Sequence, residues 1–169
     1  YQELYAWSIA ERAAFWGKTV QRLGIRFKKE YEQILHPASG NWLAGAELNI
    51  VESCFQAPAE QPAIVYQREG DTLARMSYGE LEMLCDRVAH GLGALGLRLG
   101  DRVAIDMPMT AEAVAIYLGA VKAGCAVVAI ADSFAAPEIA TRLRIGAVRV
   151  VFTQDVIVRG GHELPLYPR

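Results

Sequence analysis

Two short apolar runs joined by a helix-length segment constrain the fold of this chain most strongly. The runs cover residues 103–107 and 126–130, and residues 112–122 between them have the pattern of a helix. Strands covered on both faces do not alternate apolar with polar residues, so this pattern is typical of a parallel βαβ unit. The crossover is expected to be right-handed. A helix opening at Pro137 and a third apolar run at 148–152 extend the unit to a βαβαβ layer.

The segment before this layer predicts a β-hairpin and then a capped helix. Residues 62–66 have the composition of a strand, and residues 73–76 can return antiparallel after a turn at 69–71. Ser77 and Glu80 have the spacing of a capping box, which starts a helix that Gly96 is placed to end. The predicted fold class is therefore α/β, with a mixed, mainly parallel sheet and flanking helices.

The first forty-odd residues show a helical pattern, with apolar side chains at three- and four-residue steps. They are predicted to form a helical N-terminal extension over residues 1–45, which must pack on other structure. Residues 36–40 are predicted to form a turn-rich linker. Trp42 is interpreted as a core or interface aromatic.

Composition and charge exclude several functional classes. The chain has 169 residues and a net charge of −2, so it can bury the core of one domain and offers no basic surface for nucleic acid or an anionic membrane. No apolar run is long enough to span a bilayer. The three cysteines and three histidines are scattered, which argues against a disulfide framework or a metal site and favours reduced thiols in the cytoplasm.

Residues 91–96 match the Gly-x-Gly-x-x-Gly pattern of dinucleotide-binding loops. That motif requires a strand before its first glycine and a helix that opens after its last. Here the predicted order is reversed, because a capped helix runs through the glycines and a strand follows. A nicotinamide-dependent oxidoreductase is therefore the least favoured of the functions weighed.

One short segment has the chemistry of an anion site. It consists of four consecutive residues: Arg159, Gly160, Gly161 and His162. Paired glycines let backbone amides approach an anion closely, and arginine supplies a planar, permanently charged fork for phosphate oxygens. The alternative is that the glycines only turn the chain after a strand. Asp106 is interpreted as a strand-end residue with a backbone partner, and no catalytic base, nucleophile or metal cluster is predicted.

Residues 100–105, 107–109 and 112–114 resemble the early segment of the AMP-forming acyl-CoA synthetases, acetyl-CoA synthetase in particular. The stretch from Trp42 to Cys54 resembles the entry segment of the same enzymes, where an N-terminal extension wraps the main domain. The resemblance implies that residues 46–169 are an incomplete N-terminal part of the large adenylate-forming domain. It also implies a parent enzyme that uses ATP and Mg²⁺ to convert a small carboxylic acid to an acyl-adenylate, and then transfers the acyl group to coenzyme A.

The resemblance also assigns a role to the anion segment. In acetyl-CoA synthetases a basic residue, two glycines and a second basic residue bind the phosphate end of coenzyme A at this point. Arg159, Gly160 and Gly161 match this pattern, whereas His162 replaces the usual arginine or lysine, and an imidazole is a weaker base than either of those side chains. The family's Ser/Thr/Gly-rich ATP loop is not in this chain, and its catalytic lysine would lie beyond Arg169.

Two functions from different classes remain open at this point. The first is an N-terminal piece of an acyl-CoA synthetase that supplies scaffold and part of the coenzyme A site, is inactive alone, and has the remainder of the parent polypeptide as its partner. The second is a freestanding α/β binding or interaction module without catalytic activity. The sequence allows a homo-oligomer in either case.

Overall fold

The computed structural model of this chain describes residues 1–167, which divide into two units after Cys54. The sequence predicts this boundary near residue 45. Each unit has its own secondary structure and its own internal packing. No helix in the described part of the chain is both long and apolar enough to cross a membrane.

The α-helices of the first unit lie in its first half. Helices α1 (Gln2–Ala10) and α2 (Arg12–Arg22) are followed by Gly24, whose φ of +61° is left-handed and ends the helical path. Strands β1 (Gln33–Leu35) and β2 (Trp42–Ala44) then pair antiparallel. The helical extension predicted over residues 1–45 is therefore α-helical only as far as Arg22, and the short hairpin lies between Gln33 and Ala44.

The predicted turn at residues 36–40 connects these two strands. Gly40 lies there with a φ of +69°, and its backbone N–H donates to the carbonyl of His36 at 2.9 Å. Trp42 contacts Trp16 edge to face, with ring centroids 4.4 Å apart. This aromatic contact lies within the first unit, and Trp42 remains 42% exposed. A short 3₁₀ helix, Ile50–Ser53, ends the unit.

The second unit begins with the predicted hairpin and capped helix. Strands β3 (Pro62–Tyr66) and β4 (Ala74–Ser77) pair antiparallel and lead into α3 (Tyr78–Ala94). Both capping-box bonds form: the Glu80 N–H donates to Ser77 Oγ at 3.2 Å, and the Ser77 N–H donates to Glu80 Oε2 at 2.8 Å. The helix starts where the sequence predicts because its first free amides are satisfied locally.

The predicted βαβαβ layer is confirmed as a three-stranded parallel sheet. Its elements in chain order are β5 (Arg102–Asp106), α4 (Ala111–Lys122), β6 (Ala126–Ile130), α5 (Ala136–Ile145) and β7 (Val150–Thr153). The strand order is β6-β5-β7, so the first strand in the chain is the central one. It is buried along nearly its whole length, which explains its continuous apolar sequence.

The strand order creates a switch point at the carboxyl ends of β5 and β7. The chain crosses from β5 to β6 in one direction and from β6 to β7 in the other. Two right-handed crossovers in opposite directions place their helices on opposite faces of a sheet. In such sheets ligands bind outside the carboxyl ends of the strands, where the direction changes. This edge is therefore a place where a binding site is expected.

A final hairpin follows the sheet. Strand β8 (Val156–Arg159) pairs antiparallel with β9 (His162–Pro165), and the register joins Arg159 to His162. The only residues between the two strands are Gly160 and Gly161. This hairpin contains the four residues of the predicted anion site.

Helices α3 and α4 pack closely in the core of the second unit. Gly119 of α4 faces the backbone of α3 so tightly that a Cβ atom built on it would lie 2.7 Å from the carbonyl oxygen of Cys85. The Cys85 side chain is fully buried, and this burial raises the pKa of its thiol to about 11. At neutral pH Cys85 is thus a protonated core residue rather than a nucleophile.

Asp101 links the turn before β5 to the start of β7. Its Oδ2 atom accepts from the backbone N–H of Arg98 at 2.7 Å and from Arg149 Nη1 at 2.6 Å. The bond from the Arg98 amide, followed by the charge and hydrogen bond of Arg149, holds the pKa of Asp101 below its ordinary value of 3.8. Folding is therefore coupled to the ionisation of this carboxyl group.

We expect Asp101→Asn to lower the free energy of unfolding at pH 7, with a deficit that disappears in acid. A group whose pKa is depressed by folding contributes stability above its unfolded-state value and loses that contribution as the pH falls through the folded-state value. Urea unfolding from pH 7 to pH 3 should therefore show the wild-type and variant curves converging below about pH 4. The exposed Glu60→Gln is the control, and a gap that stays constant with pH would contradict the assignment.

Candidate functional site

The four residues of the predicted anion site form a tight two-residue hairpin turn. Gly160 and Gly161 have φ angles of +62° and +76°, the left-handed pair that a type I′ turn requires. A Cβ atom built on either glycine meets nothing within 4 Å. Glycine is therefore needed for the backbone conformation and not for space. The sequence also allows the interpretation that the glycines only turn the chain after a strand. The backbone does reverse direction at these two residues.

The two glycine amides of this turn are hydrogen-bonded to a carboxylate of the same chain. The Gly160 N–H donates to Glu69 Oε2 at 3.0 Å, and the Gly161 N–H donates to Glu69 Oε1 at 2.5 Å. Consecutive amides in such a turn converge on one point and bind anions. Glu69 belongs to the loop between β3 and β4. The turn thus has the geometry of an anion site, and Glu69 occupies it.

The arginine and histidine flank this turn. Arg159 Nη2 donates to Asp132 Oδ2 at 2.8 Å, and the Arg159 side chain remains 56% exposed whereas that of Asp132 is 13% exposed. His162 is directly opposite Arg159 in the antiparallel register and is exposed. Side chains of opposed residues project from the same face of a hairpin. The structure therefore brings together the four residues that the sequence singled out.

Two clefts meet at Arg159. One, of about 620 Å³, lies between the β3–β4 loop, the turn after β5 and strand β8. The other, of about 580 Å³, lies at the carboxyl ends of β5 and β6, and Asp132 lines it. The first cleft is lined by residues that follow β5 and β7, so it lies at the switch point of the sheet, where ligands are expected to bind.

The first cleft is not electropositive as a whole. Its charged lining consists of three carboxylates and two guanidinium groups: Glu69, Asp71, Glu112, Arg68 and Arg159. Arg68 is paired with Glu112. Arg159 is thus the cation of this cleft that lies beside the glycine turn.

The remaining candidates from the sequence are placed elsewhere. Asp106 is the last residue of β5 and is 6% exposed, and it lines neither cleft. Gly91 and Gly93 lie inside α3, and Gly96 follows its C-terminal end. Phosphates bind at helix N-termini, whereas these glycines lie at the C-terminal end of a helix. This arrangement is the one predicted from the sequence, and it does not fit a dinucleotide-binding loop. Among residues 1–167, no three or more His, Cys, Asp or Glu side chains are grouped to hold a metal ion.

Known protein families match the chain along nearly its whole length. A family described as AMP-binding enzyme matches residues 51–165, and one described as acetyl-coenzyme A synthetase N-terminus matches residues 1–54. The chain belongs to the AMP-binding enzyme family. The resemblance to acyl-CoA synthetases noted in the sequence is thereby confirmed.

Individual members of this family give the same result. The chain is 41% identical over 174 residues to the probable acyl-activating enzyme 18, peroxisomal, of Arabidopsis thaliana, covering 96% of this chain and 24% of that protein. It is 33% identical over 161 residues to an acetyl-coenzyme A synthetase of Cupriavidus taiwanensis, covering 90% of this chain and 24% of that protein. The chain spans about a quarter of the length of these relatives.

A solved family structure has the same fold. Acetoacetyl-CoA synthetase from Streptomyces lividans superposes with a TM-score of 0.92 and 29% sequence identity, covering 99% of this chain and 27% of that one. The predicted fold class, an α/β fold with a mainly parallel sheet, is therefore that of a known family member.

Sequence reasoning missed the two carboxylates that contact the anion segment. Glu69 lies 91 and 92 residues before the two glycines, and no local pattern connects such distant positions. Asp132 carries a usable signal, because it follows β6 closely and the carboxyl ends of parallel strands share one edge of the sheet. A search for polar residues after each predicted strand finds Asp132 but not Glu69.

Proposed function

We propose that this chain is the N-terminal part of an AMP-forming acyl-CoA synthetase, which converts a carboxylic acid, ATP and coenzyme A to acyl-CoA, AMP and pyrophosphate. The observation that carries the proposal is the continuous match of two successive family segments over residues 1–54 and 51–165. The close superposition on acetoacetyl-CoA synthetase supports it. In this proposal the chain supplies scaffold and part of the coenzyme A site.

The residues proposed to hold the coenzyme A phosphate end are Arg159, Gly160, Gly161 and His162. The fit is supported by the carboxylate already bound at the two glycine amides, because an anion with two oxygens satisfies this turn. Arg159 would add a guanidinium fork from the adjacent position, and its half-exposed side chain is accessible to a ligand. Coenzyme A supplies the thiol that accepts the acyl group.

The adenylation chemistry is proposed to depend on the remainder of a longer polypeptide. Binding ATP with Mg²⁺ requires phosphate-cradling amides and carboxylate ligands, and by the family resemblance the Ser/Thr/Gly-rich ATP loop would lie in that remainder. The chain spans about a quarter of the length of its curated relatives, which favours an incomplete enzyme over a freestanding binding module.

We expect the 169-residue chain alone to catalyse no ATP–pyrophosphate exchange with any carboxylic acid. The longer polypeptide that carries this chain at its N-terminus should catalyse the exchange with its own acid substrate. The measurement requires a preparation of confirmed intact mass near 18.5 kDa. Clear exchange by the short chain would contradict the proposal that adenylation depends on the remainder of the polypeptide. If the longer polypeptide showed no exchange with any acid, the ligase assignment would be contradicted.

The proposed location is the cytoplasm. Its support is the cysteine usage, since Cys54, Cys85 and Cys125 are all free. A peroxisomal location, which the description of the Arabidopsis relative names, is the alternative.

A further inference from the structure

The loop between β3 and β4 places a carboxylate on the amides that the proposed function assigns to a coenzyme A phosphate. Both Glu69 oxygens are used, one for each glycine amide, so the turn has no free amide for a second anion. We propose that Glu69 is a built-in competitor for this phosphate site, which must leave the Gly160–Gly161 amides before coenzyme A binds there. This inference rests on the proposed function.

The turn does not depend on Glu69 for its shape. Its left-handed glycines are set by the hairpin, whose four register pairs run from Val156–Pro165 to Arg159–His162. Removing the Glu69 carboxylate should therefore leave the amides converging on an open site. A residue required to fold the turn would behave differently, because its loss would disorder the hairpin.

Glu69 can leave the site without moving its own loop. The loop is closed by internal bonds, in which the Asp71 N–H donates to the carbonyl of Arg68 at 3.0 Å and Gln67 Nε2 donates to the carbonyl of Asp71 at 2.8 Å. Glu69 itself is exposed. Rotation of one solvated side chain is enough to open the turn, so the competition is reversible and low in cost.

The effect of Glu69 should be large enough to measure as a change in the dissociation constant for phosphate. While Glu69 is bound, an incoming phosphate meets two satisfied amides and a cleft with more carboxylates than guanidinium groups. The apparent dissociation constant rises as the fraction of open sites falls. A turn held by Glu69 about nine-tenths of the time would bind phosphate about tenfold more weakly than an open one.

The test is an NMR titration that follows the Gly160 and Gly161 amide resonances in wild type and in Glu69→Ala, Glu69→Gln and Asp71→Asn. Inorganic phosphate and coenzyme A are the two probes. Asp71→Asn is the matched control, because it removes one negative charge from the same loop and cleft without touching the glycine amides. Thermal unfolding of each variant checks that the fold is retained.

Without ligand, Glu69→Ala should move both glycine amide resonances upfield, since each amide loses a charged acceptor. It should then bind both probes about tenfold more tightly than wild type, with Glu69→Gln between them and Asp71→Asn within about twofold of wild type. Unmoved amide resonances in Glu69→Ala, or equal or weaker binding of both probes, would overturn the competition.

The two probes separate this inference from the proposed function. If phosphate binds the turn more tightly in Glu69→Ala but coenzyme A does not reach these amides in any variant, the competition stands and the coenzyme A assignment fails. If coenzyme A binds the turn equally in wild type and Glu69→Ala, the assignment stands and the competition fails. If neither probe moves these amides in any variant, both fail.

Discussion

Replacing Gly119 with alanine should destabilise the second unit by about 2 kcal/mol, although alanine favours a helix over glycine by up to about 1 kcal/mol. The added methyl group would lie 2.6 Å from Val88 Cβ and 2.7 Å from the backbone carbonyl oxygen of Cys85. Real Cβ atoms do not approach backbone this closely, so α3 and α4 would have to separate. Separation would open the contact around Cys85 and Val88, and packed interiors relax poorly.

The matched control is Gly91→Ala in α3. A Cβ atom on Gly91 meets nothing within 4 Å, so this variant should be stabilised by roughly 0.5–1 kcal/mol through helix propensity alone. Thermal unfolding should place the Gly119→Ala midpoint roughly 5–10 °C below wild type and the Gly91→Ala midpoint above it. Shifts of the same sign in both variants would contradict the close packing of the two helices.

The layer of parallel strands could be predicted because local patterns determine it. Buried strands have continuous apolar sequences. Ser77 and Glu80 form a capping box, which predicts the start of a helix from only four residues. The hairpin β3–β4 followed from the same kind of evidence. These elements depend on near neighbours in the sequence, so a single chain contains enough information to place them.

The first unit was harder to predict because its strands are too short to show a pattern. Strands β1 and β2 have three residues each, and no alternation can be recognised over that length. Leu43 has a φ of +47°, a conformation that a leucine rarely adopts and that its sequence context does not announce. Tertiary contacts determine the conformation of such segments. For this reason the helical region predicted from the sequence extends beyond the helices in the structure.

The candidate site was predictable in its chemistry but not in its occupancy. The order arginine, glycine, glycine, histidine at 159–162 indicates an anion-binding site, and in the structure these residues form one hairpin turn. That the anion is Glu69 follows from contacts between segments about 90 residues apart. Local sequence patterns are enough to predict where the backbone must adopt a special conformation. Side-chain partners that are distant in the sequence can be identified only in the folded structure.

Replacing Arg159 with alanine in the longer polypeptide should raise the KM for coenzyme A by about 10- to 150-fold. A hydrogen bond to a charged group contributes about 1.5–3 kcal/mol, which corresponds to this range. Arg159→Lys should lie between wild type and alanine, because lysine keeps the charge but loses the planar fork. Arg144→Ala, which removes an exposed arginine of α5, is the control and should leave this KM within about twofold.

The most direct measurement compares the two half-reactions in the Arg159→Ala variant of the longer polypeptide. ATP–pyrophosphate exchange, which does not use coenzyme A, should proceed at nearly the wild-type rate, whereas thioester formation should require at least about tenfold more coenzyme A. An unchanged KM for coenzyme A would contradict the placement of its phosphate end at this turn. Equal loss of both half-reactions would show instead that Arg159 supports the fold through Asp132.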